Sequence, residues 1–203
     1  MKKNKKILFI IFIIILIIIL GIIIYKNMIK NSKTGNNMSS QEIVDCILNL
    51  NYYKSNVTVQ VNSNKNKNKY ILNQEYNTEN GCIQEVVEPS NIAGVKITRK
   101  EGNLIIENTK LDLSTIFENY QGLEDNSLDL ISFIDDYKKY EKSNFEENDN
   151  EIIMKTKNSN QNKYIENKIL YINKENKKPT KLIIEDNNKN MTINIQYNEI
   201  ELN

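Results

Sequence analysis

The chain has no histidine and no tryptophan, two cysteines, two prolines and, at Arg99, a single arginine among 203 residues. Without histidine it lacks the commonest general base, the usual zinc ligand and any serine–histidine triad. Cys46 and Cys82 stand at no metal-ligand spacing, which leaves two readings: a disulfide in an oxidising compartment, or two small buried side chains. There is no Walker-type loop, GxGxxG fingerprint or nucleophile elbow, and the segments containing "EDN" and "DNNKN" lack the register of a calcium loop. Catalysis would therefore fall on carboxylates. Asp135 and Asp136 are neighbours on an expected helix and point about 100° apart, while Glu146 and Glu147 alternate across an expected strand. All four are expected to be solvated, and no catalytic, cofactor-binding or metal-binding residue is expected.

The formal net charge of +1 hides an asymmetry. With the seven lysines up to Lys33 set aside, 20 basic residues face 26 acidic ones. That sign opposes phosphate backbones, and no basic groove with interleaved aromatics is evident, so nucleic acid is not an expected partner. Lysine-rich pieces such as "NKNKNKY" read as solvated hairpin turns.

From Ile7 to Tyr25 the chain carries no charge, and as a helix this stretch is about 28 Å long, the thickness of a bilayer core. The bulky residues of "LGIIIYKNMIK" do not form a signal-peptidase site, and the first cysteine, Cys46, lies well past the run. Residues 1–33 are thus expected to be an uncleaved membrane anchor, 34–38 a tether, and 39–203 a single domain. Lys2, Lys3, Lys5 and Lys6 before the span, against Lys26, Lys30 and Lys33 after it, set the start inside and the domain outside the cytoplasm.

Hydrophobic periodicity divides the domain. "SSQEIVDCILNL" offers Ser39 as N-cap with Glu42 three residues on, and a helix is expected over Ser40–Leu50. The period then changes from 3.6 to 2, giving a hairpin around Val57–Val61 and Tyr70–Tyr76 and further strands at Ile83–Val87, Val95–Arg99 and Leu104–Glu107. Helical spacing is read again in "LSTIFENY" and in "NSLDLISFIDDYKKY", after which alternation resumes to the end. The total is about nine strands and two or three helices, an α+β domain rich in antiparallel sheet. Tyrosines 52, 70, 76, 120 and 137 suit either the core or a partner contact.

Between two strands stands "QEVVEPSNIAGVKI", Gln84 to Ile97. Pro89 lacks an amide N–H and Gly94 permits backbone angles that other residues resist, so the chain is expected to turn a corner there. Glu85 and Glu88 precede the corner and Arg99 follows it. They either form an ion pair across neighbouring strands or all face water.

This stretch, with "NLIIENTKLDLSTIFENY" and "NSLDLISFIDDYKK" behind it, resembles the clostridial spore-germination lipoproteins of the GerS type. More distantly, the order of elements is similar to the LolA-like lipoprotein carriers. The resemblance spans roughly residues 39–200 and is most specific over Gln84–Lys139. It implies a curved antiparallel sheet, an open half-barrel covering two or three helices, behind one N-terminal transmembrane helix. It also implies a non-catalytic protein of sporulation and germination that binds and enables a spore-cortex N-acetylmuramoyl-L-alanine amidase. The alternative it implies is a carrier or chaperone of lipid or lipoprotein acyl chains. Glu85, Glu88, Pro89, Gly94, Asn108 and Tyr120 belong to the shared motif and, with Arg99, are the candidate partner-binding residues. The lipid-bearing cysteine of the lipoproteins has no counterpart, and the span from Ile7 to Tyr25 would serve as anchor. An open sheet edge would also allow a homodimer by strand exchange.

Overall fold

The computed structural model describes residues 38–63, 65–108, 110–118, 128–162, 165–188 and 191–203. The expected span over 7–25 and Tyr120 lie outside the described residues. Among the described residues no helix is long and apolar enough to cross a membrane. The chain divides into two compact units, Met1–Ser39 and Ser40–Asn203.

In chain order the second unit contains α1 (Ser40–Leu48), β1 (Tyr52–Ser63), β2 (Lys67–Asn77), β3 (Gly81–Glu88), β4 (Val95–Lys100), β5 (Asn103–Asn108) and β6 (Leu113–Phe117). There follow α2 (Leu130–Lys139), β7 (Asn144–Glu147), β8 (Glu151–Asn162), β9 (Ile165–Asn173), β10 (Pro179–Glu185) and β11 (Met191–Leu202). All eleven strands join one sheet in the order β6-β5-β4-β3-β2-β1-β11-β10-β9-β8-β7. Two antiparallel meanders, one on each side, are stitched together by the long pairing of β1 with β11, from Tyr53 opposite Leu202 to Ser63 opposite Met191. The sheet is open, with β6 and β7 as its edges.

Alternation decides which face each strand residue occupies. Val57 and Val59 of β1, Ile152 and Met154 of β8, Leu170 and Ile172 of β9, and Leu182 and Ile184 of β10 are buried on the face that carries the helices. Against them lie Ile43, Val44 and Ile47 of α1 and Leu130, Phe133 and Ile134 of α2. Each such side chain removed from water stabilises the fold by about 1.5–3 kcal/mol. The first helix starts immediately after Ser39, as the capping pattern predicts, and ends at Leu48 rather than Leu50.

One element departs from the sequence reading. "LSTIF" is strand β6, not a helix, because Ile105 and Ile106 of β5 offer a ladder that Ile116 and Thr115 join. The strand expected at Glu146 and Glu147 is β7, only four residues long and paired with β8 from Asn144 to Glu147. Both lie at sheet edges, where length and periodicity carry the least signal.

Candidate functional site

The motif forms the expected corner. Glu88–Pro89 is a cis peptide, Gly94 has φ +89°, and Gly94 N donates to Val86 O at 2.8 Å, closing the detour between β3 and β4. Ile92 N donates to Pro89 O at 3.1 Å and Val95 N to Ile92 O at 3.2 Å, so the corner carries its own hydrogen bonds. Asn108 ends β5 with its side-chain oxygen accepting from Lys110 N at 3.1 Å and Leu111 N at 3.2 Å, a local turn cap.

Arg99 neither pairs with Glu85 or Glu88 nor simply faces water. Its Nη2 lies 2.6 Å from Asp129 Oδ2, and Asp129 is fully buried. Glu85 stands opposite Lys96, so alternation puts it on the other face of the sheet from Arg99 and Gln84. Glu88 is six residues further along β3 than Cys82, the partner of Arg99, about 20 Å of strand away. Both glutamates are exposed. The structure thus brings Arg99 to the start of a helix and leaves Glu85 and Glu88 with the corner at the surface.

Around Asp129 the geometry is that of a latch. Asp129 is the N-cap of α2, with φ −121° and ψ 164°, and its Oδ1 accepts from Ser132 N at 2.8 Å. The amide of Gln84 reaches Asp129 Oδ2 at 3.2 Å, and that of Gln74 donates to Leu128 O at 2.9 Å. Strands β2, β3 and β4 therefore all grip the first turn of α2. Beneath it, Tyr53 Oη is 3.8 Å from Cys82 Sγ. Burial, with a further push from the Asp129 charge, drives the Cys82 thiol far up. Burial likewise raises the Tyr53 and Tyr197 phenols. Burial works against the charge on Arg99, but the Asp129 carboxylate outweighs it and holds the guanidinium more firmly protonated than usual.

A second latch holds the other half of α2. Lys168 of β9 is buried, with Nζ 2.6 Å from Asp136 Oδ2 and 2.7 Å from Ser132 Oγ. Thr156 of β8 reaches Asp136 O at 3.3 Å, and Ser143 Oγ meets Thr156 Oγ1 at 2.8 Å. Asp136 is therefore not solvated as its neighbour Asp135 is; the 3.6 period carries it onto the buried stripe. Glu146 and Glu147 remain exposed, paired with Lys155 and Lys174 at 2.6 Å each. Ser40 at the start of α1 also donates to Glu147.

Asp129, Ser132 and Lys168 escaped the sequence reading and Asp136 was read as solvated, yet two of the four carried a signal. Lys168 shares strand phase with Leu170 and Ile172, and Asp136 follows Phe133 by three on a helix. A charge in the buried phase of either period needs a partner. As for the cysteines, both are free: Cys82 is buried as one alternative had it, and Cys46 is exposed on α1. Among the described residues no group of three or more acidic or thiol side chains is placed to hold a metal ion.

What these elements define is an antiparallel α+β domain whose buried charges are spent on locking a helix across an open sheet. The chain belongs to the YdcC-like sporulation proteins, whose family model matches residues 4–203. Among curated proteins none matches it in sequence. Several solved structures are similar in outline. A chain from the complex of the CwlD amidase with the GerS lipoprotein of Clostridioides difficile is 22% identical over 84% of this chain and 96% of that one, with a TM-score of 0.46. A LolA superfamily protein from Nitrosomonas europaea is 12% identical over 82% and 94%, with a TM-score of 0.47. A protein from Thermus thermophilus is 12% identical over 82% and 88%, with a TM-score of 0.48.

Proposed function

We propose that this protein is a non-catalytic binding protein of sporulation, which partners and enables a spore-cortex N-acetylmuramoyl-L-alanine amidase. On this reading residues 7–25 anchor it in a membrane and the domain from residue 39 lies outside the cytoplasm. Family membership supports the role in sporulation, and the resemblance over Gln84–Lys139 supports the choice of partner. The observation that carries the non-catalytic reading is the use made of the buried charges. Asp129 accepts from Arg99, Gln84 and the α2 backbone, and Asp136 from Lys168, so each carboxylate is engaged in holding the helix. The neighbouring thiol and phenols are kept protonated by burial, which suits packing rather than nucleophilic attack.

The test is recovery of the tagged full chain from sporulating cells, with mass spectrometry of co-purified proteins and lipids, beside assay of cortex muramic lactam in a deletion strain. An amidase in the recovered material and loss of muramic lactam are expected. Bound acyl lipid with normal cortex would overturn the reading in favour of carriage.

A further inference from the structure

On the face of the sheet turned away from the helices, a cleft of about 150 Å³ lies across β2, β1 and β11. Its walls are Lys54 and Asn56 of β1, Asn73 of β2, and Glu199 and Glu201 of β11. Beneath it run Ser55 and Ile200, whose side chains are buried on the other face. A bulge sets this arrangement. Asn56 pairs with Glu199 but Val57 with Tyr197, so Asn198 is an extra residue in β11. The alternation of β11 shifts there by one, which turns Ile200 inward and both glutamates outward. Bulges re-aim side chains in this way beside functional sites.

The walls are polarised. Asn198 Nδ2 donates to Asn56 Oδ1 at 2.9 Å, and Asn56 Nδ2 donates to Asn73 Oδ1 at 2.9 Å. The chain of amides therefore runs one way and ends on Asn73 Nδ2, whose N–H groups are unspent among the described residues. Lys54 adds an ammonium, so the donors stand on β1 and β2 and the two carboxylates on β11.

These charges do not satisfy one another. Lys54 faces Glu201 across one ladder and Glu75 across the other, and among the described residues it forms an ion pair with neither. On the same face of the sheet Lys96 faces Glu107 and does meet it, at 3.6 Å. Glu75 and Glu85, the latter opposite Asn73, add negative charge at the margin, and Lys96, the cation facing Glu85, is engaged with Glu107. The surroundings therefore favour a ligand with a second positive charge over an acidic one.

We propose that this cleft binds the zwitterionic head of an α-amino acid, preferably a diamino acid. The carboxylate meets Lys54 Nζ and Asn73 Nδ2, and the ammonium meets Glu199 and Glu201. Both charges of such a head sit on one carbon, so a single small group answers both walls with charge-assisted hydrogen bonds. The cleft has room for it, since one water needs only about 10–15 Å³. A free amino acid and a diamino acid joined to a peptide through its other end present the same head. The site is independent of the amidase reading, which neither needs it nor falls with it.

The probes are L-lysine, Nα-acetyl-L-lysine, L-lysine amide and the isopeptide Nε-glycyl-L-lysine. Each is titrated against the isotope-labelled full chain in detergent micelles and followed by amide chemical shifts. Saturable shifts centred on Lys54, Asn73 and Glu199–Glu201 are expected with lysine, the isopeptide or both. Preference for the isopeptide assigns the site to peptide ends, and preference for lysine assigns it to the free amino acid. Blocking either charge of the head, as in the acetyl and amide forms, should weaken binding at least about tenfold. Lys54→Gln should weaken lysine at least about tenfold and spare the amide, while Glu199→Gln with Glu201→Gln should weaken lysine and spare the acetyl form. These exposed changes should leave the thermal melt in place. Equal binding of lysine and its blocked forms, indifference to the variants, or no saturation by any probe up to about 10 mM would overturn the proposal.

Discussion

Lys168 and Asp136 form an ion pair inside the protein, Nζ to Oδ2 at 2.6 Å, with side-chain exposures of only 1% and 8%. Together with Arg99 and Asp129 it makes α2 a strut. The first turn of the helix is tied to β2, β3 and β4 on one side of the β1–β11 seam, and its later half to β8 and β9 on the other.

Desolvating two charges costs most of what their attraction returns, whereas removing one strands the other. Lys168→Met alone should therefore lower the unfolding free energy by about 3–5 kcal/mol. Lys168→Met with Asp136→Leu should recover most of that loss, to within about 2 kcal/mol of the parent. Urea denaturation of both variants checks it; a double variant as weak as the single one would show that the pair is net stabilising.

The Arg99 latch combines an ion pair with a helix cap, and two substitutions separate them. Asp129→Asn keeps a cap acceptor and should cost about 1–3 kcal/mol, toward the low end because Arg99 is 21% exposed. Asp129→Ala should cost about 1 kcal/mol more through loss of the cap. The difference is measurable from denaturation midpoints at a shared slope.

Three buried acids make the protein sensitive to alkali. Cys82, Tyr53 and Tyr197 all have raised pKa values, mainly through burial, so the folded state keeps protons that the unfolded state releases above its ordinary thiol and phenol values. Stability contributed below those values is then lost as pH rises past about 8.5–10, with a limiting slope of about 1.4 kcal/mol per pH unit for each group. Among the described residues Tyr197 Oη has no hydrogen-bond partner. Tyr197→Phe should therefore stabilise by about 1 kcal/mol at neutral pH and flatten the alkaline decline. Melting temperatures from pH 7 to 11 test both effects.

Gly81 and Gly102 both have positive φ, +75° and +76°, but their surroundings differ. A Cβ on Gly81 would lie 2.2 Å from Arg99 O, while one on Gly102 would meet nothing within 4 Å. Gly102→Ala should cost about 1–2 kcal/mol from backbone strain alone. Gly81→Ala should cost more, because β3 must also move away from β4. Comparison of their thermal midpoints decides between the two contributions.

Much of the domain was written locally. The helix start after Ser39, the alternation of nine strands and the Pro89–Gly94 corner all depend on residues close together in the chain, and the structure keeps them where the sequence placed them. Contacts between distant residues were decided only in three dimensions. "LSTIF" has a composition that serves helix or strand, and the neighbouring β5 ladder chose strand. Arg99 had acidic neighbours in sequence at Glu85 and Glu88, but alternation set Glu85 on the other face and distance along β3 removed Glu88, leaving Arg99 to Asp129, 30 residues away. Asp136 was drawn inward to Lys168 because a helix packed on a sheet buries one stripe entirely, and any charge on that stripe must find its partner on the sheet below.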